Sequence, residues 1–147
     1  MIGRAPLGRF VANARAGRMQ KALSAATAFS VLPLAFEIYL EHYKGSFGDK
    51  MEWSPIALTP PLLVAGVAAA APRGERAART ALPAAGAAYA LNGLIGTVLH
   101  ARGVARRPGG FREPTYNLVM GPPLLAPGSL VLVGGMGVLA ALLRRER

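Results

Sequence analysis

The chain has 147 residues, 52% of them apolar and only 16% charged, with a formal net charge of +10. A charged fraction so far below the roughly 25% of soluble domains points to lipid as the solvent for most of the surface. The absence of cysteine excludes disulfides and thiolate chemistry, and basic residues held in short clusters between apolar runs fit membrane flanks rather than nucleic acid, which is excluded as a partner.

Residues 1–21 form a basic N-terminal segment. Leu7, Phe10, Val11 and Ala14 recur at i, i+3, i+4 and i+7, with most arginines elsewhere. This predicts an amphipathic helix on a membrane surface, where each Lys or Arg near anionic lipid adds about 1 kcal/mol. A disordered basic tail fits the same composition.

A helix needs about 20 apolar residues to cross the hydrocarbon core. The first candidate span covers 22–42 and contains "ALSAATAFSVLPLAFEIYL". Pro33 lies well inside it, which predicts a kink. The basic stretch before it is long, and no A-x-A site follows its apolar core, so it reads as a span and not a cleaved leader. Four of the chain's seven acids then fall within 36–53, "FEIYLEHYKGSFGDKMEW". The second span, 55–72, is marginal in length, and Pro60 and Pro61 are expected near its first turn, where a missing N–H costs little. The third covers 81–100, where Gly86, Gly93, Gly96 and His100 fall within about 80° of a helical wheel. The fourth lies in 122–143. "GPP" at 121–123 and "APG" at 126–128 predict a break before a main helix starting near Leu124 or Gly128. "YNLVM" before the break is expected as a short interfacial or bundle-packed segment. A basic tail, 144–147, closes the sequence.

Backbone polar groups must be satisfied internally in lipid, so the apolar runs are helices. The expected fold is all-α: an integral membrane protein with four transmembrane helices packed as a bundle over 22–143. With four spans, one side collects eleven Lys and Arg and the other six. The positive-inside rule puts the richer side, with both termini, in the cytoplasm, here of a bacterial inner membrane. Residues 36–53 then belong to the external end of the first helix and the loop after it. The glycines of the third span, facing Gly134, Gly135 and Gly137 of the fourth, are expected to serve close helix packing rather than a ligand slot. The acidic first loop and the basic second loop, "ARGVARRPGGFREPTYN", carry opposite signs, suited to docking on each other or on a charged partner.

One polar constellation follows from the topology. His42 and His100, the only histidines, both end outward-running helices and so share one membrane face. Glu37, Glu41, Glu52 and Glu113 should fall near them. Glu37 is the deepest of these, and a carboxylate inside the apolar layer is expected to face the bundle, be paired or be protonated. Several readings fit. His42 and His100 with Glu37, Glu41 and Glu52 offer mixed nitrogen and oxygen ligation for a metal ion such as zinc, iron or manganese, although no spacing such as E-x-x-H is present. The two histidines are also the minimum for haem b. Glu37 is a candidate for proton or quinone chemistry. The plain alternative is an interfacial belt of Glu, His, Tyr and Trp with one wet end.

No G-x-S-x-G, P-loop, Rossmann glycine pattern or H-E-x-x-H occurs, so soluble hydrolase and dehydrogenase chemistry is not expected. In length and span count the chain resembles small four-helix bacterial membrane proteins such as the DoxX-like and small-multidrug-transporter groups. The latter would imply a mid-span Glu in the first helix, and Glu37 lies nearer the end. The expected role is a small membrane subunit or scaffold, with other membrane subunits or further copies of itself as partners beside the lipid bilayer. The alternatives are a redox, metal or haem subunit using His42 and His100, and a proton-coupled transporter using Glu37.

Overall fold

The structure, a computed structural model, describes residues 6–143; residues 1–5 and the basic tail 144–147 lie outside the described residues. The described chain is helical, with no strand. In order it forms α1 (Pro6–Arg15), α2 (Arg18–Lys44), a 3-10 turn (Lys50–Trp53), α3 (Ser54–Ala70), α4 (Glu75–Arg79), α5 (Ala81–Ala105), a second 3-10 turn (Gly110–Arg112), α6 (Pro114–Val119) and α7 (Leu125–Leu142).

Four of these helical stretches are long and apolar enough to cross a membrane: Arg18–Lys44, Lys50–Ala70, Ala81–Ala105 and Leu125–Leu142. They form a bundle in which α2 packs on α3, α3 on α5, α5 on α7, and α7 back on α2. Consecutive spans alternate in direction, so α2 and α5 run the same way on one diagonal. The core is small: Val31, Ile38, Leu62, Leu82, Tyr89, Leu130 and Val133 are its larger members. The outward faces are greasier than the interior. Phe29 is 79% exposed, Val64 67% and Leu132 72%, while Gln20, Ser24, Thr27 and Thr59 are buried. That inversion suits a lipid surround. The buried hydroxyls are satisfied within their own helices: Ser24, Thr27 and Thr59 donate to the carbonyls of Gln20, Leu23 and Pro55 at 2.7, 2.8 and 2.9 Å.

Small residues set the helix spacing, as the sequence predicts. A Cβ added to Gly86 would lie 2.6 Å from the carbonyl oxygen of Gly134, and one at Gly93 would lie 2.6 Å from that of Pro127. Gly137 meets Leu82. Gly135 faces nothing within 4 Å and takes no part. Gly66 of α3 approaches α2 in the same way, at Ser24 and Ala28.

The second span departs from expectation. Pro60 and Pro61 sit inside α3 rather than in its first turn. The helix starts earlier because Asp49 caps the preceding 3-10 turn, its carboxylate accepting from Met51 N at 2.8 Å, and Pro55 follows at the start of α3, where its missing N–H is harmless. The 3-10 turn and α3 together give 21 residues, which removes the shortfall in length. α2 runs unbroken through Pro33. The fourth span is broken before Leu125, and "YNLVM" falls largely in α6. α1 is helical, with Leu7, Phe10 and Val11 exposed. Gly17, in a left-handed conformation (φ 68°), makes the turn from α1 to α2.

Candidate functional site

At the distal end of the bundle, where α2 and α5 finish and α3 and α7 begin, the four spans enclose a cavity of about 490 Å³. Each helix contributes a face. On α2 it is Ile38, Glu41 and His42, spaced i, i+3 and i+4, with Gly45 just past the helix end continuing the same face. On α5, Asn92, Gly96 and His100 stand one turn apart along the same face. Glu52, Ser54 and Pro55 enter from the 3-10 turn and α3, and Pro122, Pro123, Pro127 and Leu130 from α7 and the segment before it. The walls are thus mostly apolar, with acids and imidazoles gathered among them.

The two histidines face each other across the diagonal. Their ring centroids are 6.4 Å apart at an interplanar angle of 81°. One of the two rings is held at Nδ1. His100 Nδ1 lies 2.8 Å from the carbonyl oxygen of Pro123. In a regular helix that carbonyl would accept from the N–H four residues on, but residue 127 is proline and has none. The imidazole therefore supplies the missing donor. A carbonyl only accepts, so the proton sits on Nδ1 and Nε2 keeps its lone pair. His42 Nδ1 faces Glu52 Oε2 at 3.6 Å. That carboxylate oxygen is buried and has no hydrogen-bond partner.

Deeper in the cavity, Asn92 donates to Ser54 Oγ at 2.7 Å, tying α5 to α3. Further toward the core, the Tyr89 hydroxyl comes near Thr59 without a hydrogen bond of normal geometry and is otherwise without a partner.

The loop beside the mouth is strained. Ser46 and Phe47 both adopt positive φ, 59° and 48°, a conformation that costs non-glycine residues of order 1–3 kcal/mol. Phe47 is kept there by stacking on Trp53, with centroids 4.0 Å apart, and by contact with Tyr39 and His42. Tyr39, Phe47 and Trp53 thus form an aromatic cluster at this helix end, and Phe47 buttresses one imidazole.

The sequence-derived residues divide as follows. His42, His100, Glu41 and Glu52 all line the cavity. Glu41 also pairs with Lys44. Glu37 does not face the bundle. It is exposed on the outer surface of α2, within electrostatic reach of Lys44, because the face that carries Ile38 and His42 turns inward. Glu113 belongs to the second loop, next to Gly109. Among the described residues no group of three or more His, Asp or Glu is placed to hold a metal ion, so the five candidate ligands do not form one closed set. The second loop is ordered from within. Asn117, buried on α6, pins it, donating to the carbonyls of Pro108 (2.9 Å) and Gly110 (2.7 Å) and accepting from Arg107 Nε (3.2 Å).

Four contributors carry little or no signal in the sequence. Asn92 and Ser54 are 38 residues apart, with no local signal linking them. The acceptor at Pro123 was visible in principle, as a proline followed four residues later by another. Met51, which lines the same cavity, carries no motif.

Fold and site together define a multi-span helical bundle with an imidazole pair at the mouth of a cavity at one end. No family model, curated protein or solved structure matches the chain.

Proposed function

We propose that this is a small polytopic protein of a bacterial inner membrane, with both termini cytoplasmic, and that it holds a small ligand or cofactor between His42 and His100 as a subunit of a larger membrane assembly. The bias of Lys and Arg toward the terminal side supports the orientation, which makes the cavity open toward the periplasm. The observation that carries the ligand reading is the convergence of the only two histidines, 58 residues apart, over a cavity of about 490 Å³. Concave sites with apolar walls and a few convergent polar groups are the usual form of a ligand pocket. A histidine that merely decorated a wet helix end would have no need of the fixed Nδ1 partner that His100 has in the Pro123 carbonyl.

Glu37 does not support the proton-coupled alternative, since it stands outside the cavity.

The test is native purification in detergent, followed by visible absorption and mass analysis of whatever small species accompanies the chain. A species retained at constant ratio by the wild type and lost in His42→Ala and His100→Ala supports the reading. A chain that carries nothing, and whose composition is unchanged in both variants, refutes it.

A further inference from the structure

We infer that the ligand of this cavity is a single copper ion, bound by Nε2 of His42 and Nε2 of His100. This rests on the cavity being a ligand site, and it adds the identity of the ligand.

The first argument is orientation. Metal-binding imidazoles characteristically give their other ring N–H to a carbonyl or carboxylate, which fixes tautomer and direction. The His100 ring is arranged that way, and the His42 ring has a carboxylate within a small side-chain shift of the same arrangement. His100 Nδ1 is on the Pro123 carbonyl at 2.8 Å, and His42 Nδ1 faces the Glu52 carboxylate at 3.6 Å. His100 Nε2 thereby keeps its lone pair, and His42 Nε2 offers one when Nδ1 carries the proton toward Glu52. Glu52 Oε2 is buried with no hydrogen-bond partner. An imidazole polarised by a cation supplies the partner it lacks, so binding should draw His42 Nδ1–H onto that oxygen.

The second argument is distance. Metal–nitrogen bonds of about 2.0–2.1 Å, with the ring radius added, put the centroids of two imidazoles sharing one ion roughly 5–6 Å apart. The observed separation is 6.4 Å. A small rotation of either side chain closes the difference, with no helix displaced.

The third argument selects the ion. There is no thiolate in the chain, and among the described residues no third His, Asp or Glu is placed to complete a set, so the closed four-ligand site that structural zinc requires is not formed there. Calcium and magnesium require oxygen ligands in larger number. Two imidazoles remain, with the Met51 thioether lining the same cavity. Imidazole and thioether together suit copper: the thioether favours Cu(I), and Cu(II) heads the divalent series for nitrogen ligands. Solvent completes the coordination of Cu(II) through the open mouth.

The experiment uses the full, tag-free chain, stripped of metal in detergent and offered CuCl₂, ZnCl₂ and NiCl₂ at equal concentration. After desalting, bound metal is quantified by elemental mass spectrometry, and the copper form is examined by electron paramagnetic resonance. The expected result is one copper per chain, little zinc or nickel, and hyperfine structure from two equivalent nitrogens. The spectrum is read on the wild type, so it does not depend on any variant folding. His42→Ala and His100→Ala should each lower copper affinity at least 100-fold while helical circular dichroism is kept. Glu52→Gln, which leaves both ligands in place, should lower it about 10–100-fold. Copper bound with fewer than two nitrogens, or bound equally by both histidine variants, overturns the assignment. A chain that takes up no copper, yet carries an organic species or haem lost in the histidine variants, overturns the copper assignment and leaves the cavity reading standing. A chain that carries neither defeats both.

Discussion

Packing between α5 and α7 should fail if Gly93 gains a methyl group, and the size of the effect can be worked out. The added Cβ would sit 2.6 Å from the Pro127 carbonyl oxygen, 2.8 Å from Leu130 Cβ and 2.9 Å from Val131 N, whereas ordinary contact begins at 3.4 Å. Two of the three obstacles are backbone atoms, so no side-chain rotation relieves them. The helices must part locally by about 0.8 Å, the shortfall at the closest atom. A gap of 0.5–1 Å forfeits a quarter to a half of the dispersion energy of the atoms it separates. In lipid no hydrophobic term between helices compensates, because association rests on packing itself. Overpacking of this kind costs typically 1–3 kcal/mol, hence roughly a 5- to 150-fold loss in the folding equilibrium. The assay is reversible unfolding in detergent micelles, comparing Gly93→Ala with Gly135→Ala, since the second site faces open space. Gly93→Ala should be destabilised by that amount and Gly135→Ala should match the wild type or exceed it. Equal stability of the two variants would refute the reasoning that the glycine face sets the helix spacing.

Other outcomes follow from single contacts. Asn117→Leu removes two donated bonds and one accepted bond, which at about 0.5–1.5 kcal/mol each should loosen the second loop. Limited trypsinolysis at Arg106, Arg107 and Arg112 should accelerate at least tenfold. Tyr89→Phe deletes a buried hydroxyl that has no normal hydrogen-bond partner, so its stability in the same micelle assay should fall by less than about 0.5 kcal/mol or rise. His100→Ala removes the donor to the solvent-exposed Pro123 carbonyl, so the metal-free protein should itself lose no more than about 0.5–1.5 kcal/mol, measured by the same unfolding. Asp49→Ala removes the cap that starts the 3-10 turn and should cost about 0.5–2 kcal/mol, measured as a lower melting temperature.

The run of apolar residues made the four-helix architecture legible, because length against bilayer thickness leaves few alternatives. Alternation of direction then forced His42 and His100 to the same end. Span composition does not fix the rotation of a helix about its own axis. That rotation decides whether a residue faces a cavity or lipid, and it separates His42, which faces in, from Glu37, which faces out. The glycine spacing of 86, 93 and 96 did report the packing face, since only close backbone approach needs so many small residues at that period. Pro60 and Pro61 misled because the start of α3 is set by a signal that was present but unread. The Asp49 carboxylate caps Met51 N, and that cap carries the helical segment back to Lys50. Asn92 with Ser54, and His100 with Pro123, are pairings between distant segments. Only the assembled bundle brings them together.

The central claim is that the two imidazoles meet across the mouth of one cavity on one side of the membrane. The chain's lack of cysteine allows a direct measurement: the double variant His42→Cys, His100→Cys, treated in intact cells with a short, membrane-impermeant, thiol-specific cross-linker. Efficient intramolecular joining of the two positions from outside, with neither single variant cross-linking within the chain, is the predicted result. Labelling of the two positions from opposite faces, or labelling of both from outside without joining, would contradict the account.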